Sequence, residues 1–144
     1  MDDRFDLQRF VAAQAGSYEA ALAEIGRGEK RTHWMWYIFP QYAGLGHSPV
    51  SRHYAIHSLE EARSYLAHPV LGPRLETCIE ALQNLRGTTA EQVFGATDAM
   101  KLRSSLTLFI EAGGGRLFRE ALDRWFEGSL DERTLELTAQ EDSL

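Results

Sequence analysis

The densest chemistry in the chain lies between His33 and Gln41, in the run HWMWYIFPQ. If residues 33 to 39 wind as a helix, an advance of about 100° per residue sets His33, Trp36 and Tyr37 on one face. Trp34, Met35, Ile38 and Phe39 then cover the other face and read as core. His33, Trp36 and Tyr37 carry flat rings with polar tips, which can stack on a planar ligand while bonding its edge. Gln41, just past Pro40, adds an amide that both donates and accepts. The plainer alternative makes the whole run core, with its tips bonded to backbone. That alternative leaves unexplained why polar tips stand where Leu or Phe would need no partner.

A second group lies downstream. Asp98, Lys101 and Ser105 follow one another at spacings of three and four residues, along the edge of an apolar sector made by Leu102, Leu106, Phe109 and Ile110. Ser104 lies further round, beyond Lys101. A Lys and a Ser one turn apart can form a nucleophile–base pair if the Lys loses its proton to desolvation. They can also hold an anion. Otherwise this is an amphipathic border with a weak Asp98–Lys101 pair worth tenths of a kcal/mol.

A third group is the loop from Gly44 to Ser51, GLGHSPVS, where glycines let backbone amides approach a phosphate. It lacks the Gly-Lys-Ser/Thr ending of a P-loop, and no strand precedes it. Ser48 or Ser51 can equally cap the next helix. The candidate ligand-binding set is therefore His33, Trp36, Tyr37, Gln41, His47, Ser48, Asp98, Lys101 and Ser105. Within it, His33, Asp98 and Lys101 are the candidates for acid–base work, His33 because a neutral imidazole can donate or accept a proton near pH 7.

Other combinations point away from chemistry. His53 and His57 have a metal-ligand spacing, but no third ligand is evident, so no metal site is expected. Cys78 is the only cysteine, sits in a helical pattern and reads as a packed free thiol. Arg27, Lys30 and Arg31 could hold one phosphate, yet Glu29 stands among them and a solvated loop fits as well. The net charge of −6 and the lack of a large basic cluster argue against duplex nucleic acid as a partner. No cofactor is implied. No apolar run reaches the roughly 20 residues of a membrane span, and the acidic start is no secretory signal. A cytoplasmic protein is the expectation.

The elements that must position these residues read as helices. A chain of 144 residues fits one domain, able to bury roughly 70% of its unfolded surface without disulfides or metal. Asp6 and Ser17 are placed to cap the first two helices, and Thr32 to cap the aromatic run. Ser58–Glu61 and Thr88–Glu91 read as capping boxes. One helix should run from about Val70 to Leu85, and another from Asp98, capped by Thr97, to about Ala112. Gly113-Gly114-Gly115 reads as a flexible break. Asp131 can cap the last helix, and Glu141 to Leu144 should fray. No alternating strand and no βαβ unit is evident. The expectation is an all-α, irregular single-domain array of seven to nine short helices spanning residues 1–144, with its core from about 5 to 137.

The runs at 32–41 and 44–48, Tyr54-Ala55-Ile56, His68-Pro69-Val70-Leu71-Gly72, Phe94-Gly95 with Asp98, Lys101-Leu102 and Ser104–Phe109 together carry a resemblance. Over residues 5 to 137 the chain is similar to the domain-of-unknown-function family 1810. That resemblance implies a mainly α-helical fold. It brings no activity and no catalytic residues. Some members are labelled calpastatin-like, but calpastatin's inhibitory repeats are disordered and this chain reads as globular.

Residues 33–41 and 98–105 both set polar tips beside apolar faces. A buried polar group without a partner costs about 1–3 kcal/mol, so the simplest arrangement joins both segments across one cleft. The functional expectation is a small-molecule-binding domain for a flat anionic ligand, such as a nucleotide or an ADP-ribose-like compound. The alternatives are an enzyme hydrolysing an N-glycosidic or phosphoester bond of such a ligand, and a protein-interaction module.

Overall fold

The computed structural model describes residues 3–143. The described residues form ten α-helices, one or more above the expected count, and 65% of the chain is helical. They are α1 (Gln8–Ala15), α2 (Tyr18–Arg27), α3 (Met35–Ile38), α4 (Pro49–His53), α5 (Leu59–Ala67), α6 (Leu71–Gln83), α7 (Ala90–Phe94), α8 (Ala96–Glu111), α9 (Arg116–Phe126) and α10 (Glu132–Ala139). A 3-10 turn, Gln140–Ser143, follows. The higher count arises because α3, α4 and α7 are only four or five residues long. Helices this short are unstable alone and persist through tertiary packing.

The fold is built around α8, which packs against α3, α5, α7, α9 and α10. Residues 104 to 109 are all buried, so the helix is covered nearly all round in its middle. The periodicity alone suggests a sided helix, because Ser104, Ser105 and Thr107 look like a polar face. Two of those hydroxyls instead bond inside the helix, Ser104 to the Met100 carbonyl and Thr107 to the Arg103 carbonyl. Around α8, Tyr65, Phe109 and Phe118 form one aromatic chain, and Trp34, Phe39 and Phe94 a second.

Several caps differ from their sequence reading. Leu7 occupies the N-cap of α1, and Asp3, not Asp6, accepts the free amides of Leu7 and Gln8. Ser17 stands at the N-cap of α2, but its hydroxyl serves Tyr37. The second capping box is Thr89–Gln92, one residue on from the expected one. Gly95 precedes α8, which starts at Ala96 and so places Asp98 inside its first turn, where the helix dipole favours a carboxylate. Ser58 caps α5 as expected, but Glu61 reaches the His57 amide rather than that of Ser58, and its other oxygen pairs with Arg9. Asp131 caps α10 through the Thr134 amide and hydroxyl.

Two further expectations change. Gly114 is a close approach, not a loose break: a Cβ there would lie 2.8 Å from the Phe109 carbonyl oxygen and 2.9 Å from Phe118. Glu141 does not fray, since its carboxylate accepts from the Tyr42 hydroxyl and the Leu59 amide. Leu144 lies outside the described residues. Among those residues, no helix is long and apolar enough to cross a membrane.

Candidate functional site

The segment entering α3 is fixed by one buried carboxylate. Glu24 accepts from the Arg31 and Thr32 amides, the Thr32 hydroxyl and the Trp34 indole N–H, at 2.7–2.9 Å. Burial alone would raise its pKa, but these four bonds outweigh it and pull the group down to about 2. Thr32 is thus tied to Glu24 and does not cap the aromatic run. The helix there is a single turn, Met35–Ile38. Trp34, Met35, Ile38 and Phe39 are buried as the residue pattern requires.

The polar rings divide. His33 precedes the helix and is exposed. Tyr37 donates to the Ser17 hydroxyl at 2.9 Å and packs on Tyr54, with ring centroids 5.3 Å apart. Trp36 alone turns toward α8, where the Lys101 ammonium stands 4.0 Å from its ring centroid. Such a contact is worth about 0.5–2 kcal/mol, most when desolvated. The two segments named from sequence therefore do meet, through Trp36 and Lys101.

Lys101 belongs to a charge triad. Its Nζ lies 3.0 Å from Asp98 Oδ1, and Lys30 Nζ lies 2.8 Å from Asp98 Oδ2. Burial would raise the Asp98 carboxyl, but hydrogen bonds and charge from the two lysines hold it below its ordinary value. Lys30 is not part of a surface cluster. Its side chain is only 7% exposed, and it also donates to the Thr32 carbonyl and lies over Trp34. Arg31 turns to Glu29 instead. One carboxylate between two ammonium groups leaves a surplus of positive charge beside Trp36.

Above this triad opens a cleft of about 250 Å³. Trp36, Gln41, Thr97, Lys101, Ser104 and Asp131 supply its polar groups, and Leu45 and Met100 its apolar ones. Gln41 is held by its backbone: its carbonyl accepts from the Ile56 amide, and Ala43 N–H donates to the Ile56 carbonyl, a single parallel bridge. Two buried side-chain atoms among the described residues lack any hydrogen-bond partner, Gln41 Nε2 and Ser105 Oγ. Both belong to the set chosen from sequence.

The remaining candidates lie off the cleft wall. Ser48 caps α4 by accepting from the Ser51 amide, and His47 is exposed beside it. Ser105 is 1% exposed within α8. Asp98 backs Lys101 without lining the cleft. Sequence reading missed Asp131 and Met100 as cleft residues, while Leu45 belongs to the Gly-rich loop it named. Asp131 was visible only as a cap, and the approach of α10 to Trp36 has no local signal. A larger groove of about 670 Å³ runs past Met100 to Trp125 and Phe126, but it holds no unpartnered buried polar atom. No cluster of three or more His, Cys, Asp or Glu suited to a metal occurs among the described residues. His53 closes α4, so His57 falls beyond the helix and the two do not share a helical face.

Comparison with known proteins adds three findings. A family model described as protein of unknown function (DUF1810) matches residues 4–138. The crystal structure of the conserved hypothetical protein Rv1873 from Mycobacterium tuberculosis is similar, with a TM-score of 0.93 and 46% sequence identity, over 95% of this chain and 99% of that one. No curated protein matches.

Proposed function

The chain belongs to the family of proteins of unknown function DUF1810, and from that premise we propose that it is a small-molecule-binding domain whose ligand is anionic and partly planar. The observation that carries this reading is the unpartnered Gln41 Nε2 in the wall of a cleft that also holds Lys101 over Trp36. An orphaned buried donor costs about 1–3 kcal/mol, which a ligand acceptor would recover.

The charge arrangement suits exchange. Lysine has three N–H donors. Lys30 commits its donors to Asp98 and the Thr32 carbonyl. Lys101 is bound to Asp98 and the Trp36 face, and retains a donor for a guest. An incoming anion can take Lys101 without stranding Asp98, because Lys30 continues to neutralise it. At about 250 Å³ the cleft is below the usual range of small-molecule sites, so it takes a ring or a single anionic group rather than a whole dinucleotide.

Binding is favoured over turnover. Asp98 is kept ionised by two lysines and holds no proton to donate near neutrality. Lys101 is ion-paired, unlike the desolvated lysines that act as bases, and Ser105 is shut inside the core.

The test is mass spectrometry of small molecules that co-purify with the protein, followed by calorimetry with AMP and ADP-ribose on the wild type and on Lys101→Met. The variant is expected to keep its fold and lose affinity by about tenfold or more. Equal affinity in both proteins, or no binding of any anionic planar compound, would sink the reading.

A further inference from the structure

Behind Trp36 and Gln41 lies a second, smaller chamber of about 70 Å³. A single water needs about 10–15 Å³, so there is room for a few waters or for one tetrahedral oxyanion. Trp36, Gln41 and Gly46 line both this chamber and the larger cleft. Tyr42, Ser51, Arg52, Tyr54 and His57 complete its polar wall.

The available groups are donors. Gln41 is 9% exposed and its Nε2 has no partner. Arg52 enters no ion pair among the described residues. The competing groups are occupied. The Ser51 hydroxyl donates to the Ser48 carbonyl, and the Tyr42 hydroxyl to Glu141. Glu61, 3.8 Å from His57 Nδ1, is neutralised by Arg9 at 2.8 Å. The floor is tight: a Cβ on Gly46 would lie 2.7 Å from both Cβ and Oγ of Ser51, so the loop backbone itself shapes the space. This gives the Gly44–Ser51 loop, with its phosphate-compatible composition, a place in the molecule.

We propose that this chamber is an oxyanion subsite, taking a phosphate-type group between the Gln41 amide and the Arg52 guanidinium. It deepens the binding role proposed above and rests on it only for the source of the phosphate. Charge-assisted bonds from a planar guanidinium are the strong kind for such a group.

Inorganic phosphate is the probe, titrated into the full-length chain by calorimetry. Arg52→Met is expected to weaken phosphate by about tenfold or more, and by a clearly larger factor than Lys101→Met does. Arg52 is exposed, so its loss does not threaten folding. Gln41→Leu removes the amide without stranding a partner, and should weaken phosphate as well. Absence of phosphate binding in the wild type, or binding that survives Arg52→Met, overturns the subsite. A loss in Lys101→Met as large as in Arg52→Met overturns it too, since the ion would then sit in the larger cleft. A further arm with AMP identifies the source. If AMP binds more tightly than phosphate and the gain vanishes in Lys101→Met, the phosphate belongs to a ligand reaching across Gln41. If AMP gains nothing, the chamber takes the free ion. Failure of Lys101→Met to affect AMP strikes the proposed function and leaves the subsite standing.

Discussion

Glu24 illustrates how a single residue can order a segment up to 10 residues further along the chain. Its four hydrogen bonds select the ionised form, so its folded pKa of about 2 lies below the ordinary 4.5. The stabilisation is full above about pH 4.5 and drains away as pH falls toward 2, on the order of 3 kcal/mol in all by linkage. Denaturation midpoints of Glu24→Gln should therefore depend less on pH than those of the wild type across that window. Parallel curves would show that another carboxylate governs acid unfolding. Cys78 shows the opposite effect of burial, which pushes its thiol up to about 12. It should stay unreactive toward a thiol reagent in the native protein and react on unfolding. Asp131 is the one carboxylate in the cleft wall among the described residues, and Asn also caps helices well. Asp131→Asn should hold stability within about 0.5 kcal/mol and tighten AMP binding, by removal of a repelling charge. Calorimetry reads both effects, and weaker binding would give Asp131 a direct role in holding the ligand.

At the scale of elements, α3 shows what four residues can do once their neighbours hold them. The turn anchors through Trp34, which is 1% exposed and bonded to Glu24. Trp34→Ala should cost about 3–5 kcal/mol, the range for large aromatic truncations. His33→Ala should cost well under 1 kcal/mol, since His33 is solvated. A urea denaturation series measures both, and the reverse order would place His33 in the core. The caps at Ser58 and Asp131 were legible because they are local: each accepts from an amide three residues away. The start of α8 was not, because Gly95 holds a positive φ of 83° that nothing in the neighbouring sequence demands.

For the molecule as a whole, the chain end acts as a clasp. Glu141 joins Tyr42, whose segment carries Gln41, to the first turn of α5. Removing residues 141–144 should lower the melting temperature by a few degrees, about 2–4 °C for each kcal/mol lost. It should also weaken phosphate binding at the chamber that Tyr42 lines. An unchanged melting curve would make the clasp dispensable.

The sequence by itself determined that this is a helical protein and that Trp34, Met35, Ile38 and Phe39 form core, and it singled out Gln41, Lys101 and Trp36 as candidates beside the plainer alternative that they only pack. Those conclusions rest on local periodicity, caps and the mismatch of polar tips with apolar faces, all of which act over a few residues. Only the tertiary structure decided which polar tips converge. Trp36 and Tyr37 are neighbours, yet one meets Lys101 and the other Ser17, because a single helical turn swings adjacent side chains by about 100° and packing then fixes each partner. Lys30 reads as a loop charge until Asp98, 68 residues further along the numbering, closes on it. Such pairings join segments distant in the chain, and their energy comes from a shared low-dielectric interior that no stretch of sequence contains alone.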